Sequence, residues 1–118
     1  MNSDYFDNWT RQSRKGFIEL AILNLLKDGE QYGYDLVKKL VKLPGLQVAE
    51  GTVYPLLARL RLKGVVQTHL KPSKDGPDRK YYSLTDDGHE SLKMMNTYAQ
   101  SLINVCTTTG GKNNDKIQ

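Results

Sequence analysis

The residues with most to offer chemically lie close together. In GTVYPLLARLRLK, residues 51–63, Thr52 carries a hydroxyl, Tyr54 a phenol, and Arg59, Arg61 and Lys63 positive charges. None has a base or nucleophile at catalytic spacing; they are donors and cations, the tools of recognition. On a helix, Val53, Leu56, Leu57 and Leu60 share one side and form a core stripe. The opposite side is Gly51, Pro55, Ala58 and Leu62, all small or non-protruding except Leu62. Thr52, Arg59 and Lys63 border it along one edge, Tyr54 and Arg61 along the other. So slim a face fits the ~12 Å major groove of DNA, where Pro55 and Ala58 would meet thymine methyls and the bordering donors would reach base edges and phosphates. No acidic residue occurs from Gly51 to Lys71.

A second set of cations, Lys74, Arg79 and Lys80, surrounds the turn-forming PSKDGP. A basic, Gly-tipped hairpin there would lie along phosphates or dip into a minor groove. Arg14, beside Arg11 and Lys15, and Lys38, beside Lys39, are further candidates for backbone contacts. Residues 11–80 hold 14 Lys and Arg against 7 Asp and Glu, so the positive charge is concentrated in the middle of the chain. That bias suits a polyanionic partner.

Catalysis finds little support. His69 and His89 have no His, Cys or carboxylate at metal-ligand spacing, and Cys106 is the only cysteine, so neither a metal nor another cofactor is expected. No stretch approaches the ~20 apolar residues of a membrane span, and the N-terminus has no secretory apolar run, so the expected location is the cytoplasm.

These residues need elements to position them. Phe17, Ile18, Ala21, Ile22 and Leu25 recur at helical spacing and predict a first helix from about Trp9 to Asp28, stopped at Asp28-Gly29. A second, from Tyr32 to about Leu43, carries Leu36, Val37 and Leu40 and is closed by Pro44-Gly45. The third runs from near Thr52 to Lys63 and ends at Gly64. With Thr52 as N-cap, Pro55 takes the third helical position, where its missing N–H costs nothing; a start at Ala49 or Glu50 would place it deeper, at the cost of a bend. VVQTHLK (65–71) and RKYYSLT (79–85) are strand formers around the PSKDGP turn. Thr85 before Asp86-Asp87 then reads as an N-cap opening a last helix to about Cys106.

The expected fold is therefore mostly α with a small β-hairpin: a winged helix-turn-helix with an N-terminal arm over residues 1–84, a C-terminal dimerisation helix over 85–107, and a disordered polar tail over 108–118. In the last helix Leu92, Met95, Ala99, Leu102 and Cys106 follow the 3, 4, 3, 4 spacing of a helix that packs along another. The partner is a second copy or the chain's own first helix. A two-fold dimer is the preferred expectation, because it sets paired third helices on half-sites roughly 34 Å apart. Trp9 is assigned to the same interface.

YGYDLVKKL, GTVYPLLARLRLKGVV and GPDRKYYSLTDDG, in this order, resemble the PadR family of bacterial transcriptional regulators, and the likeness covers about residues 15–107. The single last helix resembles the family's short subgroup. The resemblance implies a homodimeric repressor that binds a two-fold operator in double-stranded DNA and is released by a small molecule. Its DNA contacts would fall on Thr52, Tyr54, Pro55 and Arg59, and on the wing at Lys74, Arg79 and Lys80. A small aromatic effector would sit between the last helices near Met95, Tyr98 and Ala99. The competing expectation is a winged-helix module that binds protein through Leu62 and the basic rim, without specific DNA binding.

Overall fold

The computed structural model describes residues 3–110. Helix α1 (Ser3–Leu25) is followed by a short strand β1 (Gln31–Tyr32), helix α2 (Gly33–Val41), helix α3 (Glu50–Leu62), the hairpin of β2 (Val66–Ser73) and β3 (Gly76–Leu84), and helix α4 (Asp86–Thr108). The three-helix and hairpin order is that of a winged helix. The core gathers Ile22 and Leu23 of α1 with Leu26 just beyond it; Leu36, Val37 and Leu40 of α2; Val53, Leu57 and Leu60 of α3; Val66, Tyr82 and Leu84 of the hairpin; and Leu92 of α4.

Four expectations need correction. The sheet has three strands in the order β1-β3-β2, not two, because Gln31 and Tyr32 pair with Tyr82 and Tyr81. A two-residue strand is too short to show alternation and forms only against a neighbour already in place. Helix α1 begins at Ser3, well before Trp9, with Asp4 in its first turn favouring the positive end of the helix dipole. Thr108, expected to open the tail, still belongs to α4, and the rest of that expectation, residues 111–118, lies outside the described residues.

The fourth correction concerns Thr52. The N-cap of α3 is Ala49, and Thr52 lies inside the helix, its hydroxyl donating to the Ala49 carbonyl at 2.8 Å. Pro55 is consequently the sixth helical residue, so the Gly51 carbonyl loses its usual N–H partner. A helix-interior proline costs about 3 kcal/mol by propensity alone. Burial of Val53, Leu57 and Leu60, each at most 1% exposed, outweighs that cost and holds the backbone helical through the proline. The stranded carbonyl belongs to Gly51, an exposed residue, so it is not one of the buried backbone groups that need a protein partner.

Two glycines carry the joints. Gly33 opens α2 directly under the buried Tyr82 ring, where a Cβ would stand 2.9 Å from a ring carbon. Gly88, in the first turn of α4, lies so close to Val65 that a Cβ would fall 2.1 Å from its carbonyl oxygen. Thr85 completes this second joint as expected from the sequence. Its Oγ1 accepts from the Gly88 N–H at 3.0 Å and donates to the Gly64 carbonyl at 2.6 Å. The end of α3 and the start of α4 are thereby bolted together.

Candidate nucleic-acid interface

Helix α3 presents the face its sequence pattern predicts. Gly51, Thr52, Tyr54, Pro55, Ala58, Arg59 and Leu62 are exposed, while Val53, Leu57 and Leu60 are buried and Leu56 is half-buried. Tyr54 keeps 48% of its surface in solvent. Burial of its inner part pushes the phenol pKa up, with Tyr32 and Glu50 adding to the effect, so at neutral pH the hydroxyl is a donor.

The two edges of this face differ. On the α1 side a cleft of about 520 Å³ is lined by Lys15 and Ile18 of α1 and by Gly51, Thr52, Pro55, Leu56 and Arg59 of α3. Arg59 stands 3.7 Å from the Glu19 carboxylate of α1, so its guanidinium is held toward that cleft. On the sheet side lie Tyr54 and Arg61, preceded one turn earlier by Glu50, which is exposed. The tip therefore includes a carboxylate that a helix beginning at Thr52 would have left outside.

The structure does not bring all the sequence candidates together. Lys63 caps α3 at its far end, about 17 Å from Thr52 along the axis. Arg14 lines a separate cleft with Phe6, Asp7, Thr10, Arg11, Gly45 and Gln47, whereas Lys15, one residue on, adjoins the α3 tip. Lys38 on α2 lies over the Tyr34 ring at 4.7 Å.

The wing cations fall on different faces. Ser73 pairs with Gly76, leaving Lys74 and Asp75 as the turn, so the expected PSKDGP loop is tighter than its composition suggested. Between this pair and Lys71↔Arg79, β3 uses one more residue than β2, a bulge that accommodates Pro72 and Pro77. Side chains alternate along a strand. Lys80 shares a face with the buried Tyr82, whereas Arg79 shares the outer face with Tyr81. Arg79 lies over the Tyr32 ring at 4.8 Å, and Lys71 lies over Tyr81 at 4.6 Å.

That outer face holds a cluster the sequence did not reveal. Glu30, between α1 and β1, accepts a hydrogen bond from the Lys71 ammonium and stands 2.5 Å from His69 Nε2. The Lys71 hydrogen bond, helped by His69, holds the Glu30 carboxyl below its ordinary range, and the same bond raises the Lys71 pKa. Since 41 residues separate the partners, no local pattern could have shown it.

Helices α1 and α4 run alongside each other. Asn24 and Asn96 exchange side-chain hydrogen bonds at 2.9 Å in both directions. Beyond them a groove of about 230 Å³ is lined by Ser13, Gly16, Phe17 and Leu20 of α1 and by Met95, Tyr98, Ala99, Leu102 and Ile103 of α4. The three residues expected near an effector, Met95, Tyr98 and Ala99, thus share one groove. The seam residues divide. Leu92 is 2% exposed in its own chain's core and has no surface left for a partner, which corrects its assignment to the dimer interface; Met95 packs against that core. Leu102 (44%), Ile103 (50%), Tyr98 (66%) and Trp9 (58%) remain open. Cys106 is also exposed. Among the described residues, no helix is long and apolar enough to cross a membrane.

The chain is similar to known proteins over most of its length. Residues 22–94 match the transcriptional regulator PadR-like family. A PadR-like transcriptional regulator of Bacillus cereus is 37% identical over 86% of this chain and 99% of its own, with a TM-score of 0.70. A PadR family regulator of Eggerthella lenta is 27% identical, covers 92% of this chain and 96% of its own, and superposes at 0.76. PadR of Bacillus subtilis, whose structure is a complex with operator DNA, is 29% identical over 65% of this chain and 45% of its own, at 0.58.

Proposed function

The chain belongs to the PadR-like family of transcriptional regulators, and from that premise we propose that it is a repressor that binds a two-fold operator as a homodimer and is released by a small aromatic effector. The observation that carries the DNA-binding part is the exposed face of α3, with Gly51, Pro55 and Ala58 along its slim centre and Thr52, Tyr54 and Arg59 at its borders. The wing supports it: Lys74 at the turn and Lys80 on the α3 side provide cations for phosphates beside the groove. The operator complex of the Bacillus subtilis relative agrees with this use of the fold.

The dimer rests on apolar surface that one copy leaves uncovered. Phe6 and Trp9 on α1, and Tyr98, Leu102 and Ile103 on α4, are each between 44% and 66% exposed. A surface of that kind on a soluble regulator calls for a partner, and a second copy supplies it by two-fold symmetry. The effector would enter the α1–α4 groove at Met95, Tyr98 and Ala99. A regulator of this kind works in the cytoplasm, where its DNA is.

Fluorescence anisotropy with the DNA flanking its own gene tests the first part. Affinity should fall steeply with salt and exceed that for a scrambled duplex of equal length; equal affinity for both would remove sequence specificity. Light scattering should give twice the chain mass. Titration of Trp9 fluorescence with flat aromatics should show saturable change, and no response across a broad panel would remove the effector.

A further inference from the structure

We infer that Glu50 reads sequence, accepting a hydrogen bond from the exposed amino group of a base, with cytosine as the preferred target. The inference rests on the DNA-binding role proposed above and adds a residue to it. Glu50 is the first residue of α3, exposed, and one helical turn before Tyr54 on the same edge. The two are close enough for the carboxylate to contribute to the raised phenol pKa. Among the described residues no hydrogen bond or salt bridge engages the Glu50 side chain. Glu19 and Glu30, by contrast, are each occupied by a cation.

In the free protein Glu50, like Asp4 in α1, favours the positive end of its helix dipole; once the helix enters a polyanion, the carboxylate faces either phosphate or a base edge. Facing phosphate, it is repelled, and it lowers affinity for every sequence alike. Facing a base edge, it needs a donor. In the major groove the donors are the cytosine N4 and adenine N6 amino groups, and carboxylates pair characteristically with cytosine N4. An acceptor at Glu50 beside a donor at Tyr54 gives this edge both polarities, so it distinguishes a base pair by pattern and not by charge alone. Where the amino group is missing, the carboxylate is left unpaired in the groove, and that loss makes the discrimination steep.

The test is selection of binding sites from a randomised duplex pool by wild type, Glu50→Ala and Glu50→Gln, with each variant's fold checked by circular dichroism and thermal melting. Wild type should enrich a motif with one cytosine column per half-site, preferring cytosine to thymine by on the order of tenfold. Glu50→Ala should lose that column while keeping the others, and should bind random DNA more tightly. Glu50→Gln should move the preference to adenine, because an amide pairs with adenine N6 and N7. An enriched motif identical in all three proteins would overturn the inference while leaving the DNA-binding role intact. No enriched motif with wild type would overturn both.

Discussion

The exposed face of α3 and the outer face of the sheet are both polar and both carry cations, yet they are built in opposite ways. On the sheet, Glu30 engages Lys71 and His69, and Arg79 and Lys71 lie over Tyr32 and Tyr81. Nearly every charge there has an intramolecular partner. On α3 the hydroxyl of Thr52 is turned to the backbone and Arg59 is held loosely at 3.7 Å, while Tyr54 and Glu50 project into solvent. A surface whose groups satisfy one another contributes to rigidity. One that leaves groups such as Tyr54 and Glu50 open to solvent has them available to a partner.

The sharpest break between the faces would come from beneath α3. Leu57→Ala removes a fully buried side chain that holds the helix through Pro55, and should destabilise the fold by roughly 2–5 kcal/mol, read as a lower urea midpoint, with DNA binding lost as a consequence. Tyr54→Ala, on the exposed edge of the helix, should cost operator affinity by about 1–3 kcal/mol, the scale of a base-edge contact, while the melting temperature stays close to wild type. Anisotropy and thermal melting on the same samples separate the two effects; a large drop in melting temperature for Tyr54→Ala would reassign it to packing.

Lys74→Ala at the wing turn should be weaker and non-specific. Affinity should fall similarly for all sequences, with the log–log salt slope reduced by about one if Lys74 makes one phosphate contact. A slope equal to that of wild type would place the turn away from the backbone.

The smallest effect belongs to the sheet. Glu30's carboxyl titrates below its ordinary range in the fold, so its contribution is full above that range and is lost as pH falls through the lowered folded-state value. Glu30→Gln should therefore lower the melting temperature at neutral pH and converge with wild type in acid, with operator affinity at neutral pH little changed. Parallel curves at all pH values would show that the Lys71 and His69 contacts add nothing in solution.

Much of this contrast is legible in the sequence, and the parts that are not share a cause. The Val53, Leu57, Leu60 stripe and the Thr85 cap are local patterns, repeated every turn or closed within three residues, and they appear in the fold as read. The start of α3 was misplaced because Pro55 argues locally for a late onset, whereas the core beneath it rewards an early one. That shift carried Glu50 into the helix and Thr52 out of the capping position. Strand β1, the bond from Glu30 to Lys71 and the Asn24–Asn96 exchange join residues far apart in the chain, where no spacing rule applies. The a/d series of α4 was a true pattern with two uses: Leu92 is spent on its own core, and Leu102 is left open.

By itself the sequence determined which side of each helix is apolar, where the turns fall, and that α3 carries a slim face bordered by Thr52, Tyr54 and Arg59, because these depend on residue type and local periodicity. Only the tertiary structure decided that α3 runs through its proline, that Glu50 joins the tip, that Arg79 and Lys80 part to opposite faces of the wing, and which half of α4 remains uncovered. Those outcomes depend on which distant surfaces compete to bury the same apolar area and to pair the same charges, a competition settled only when the chain has closed on itself.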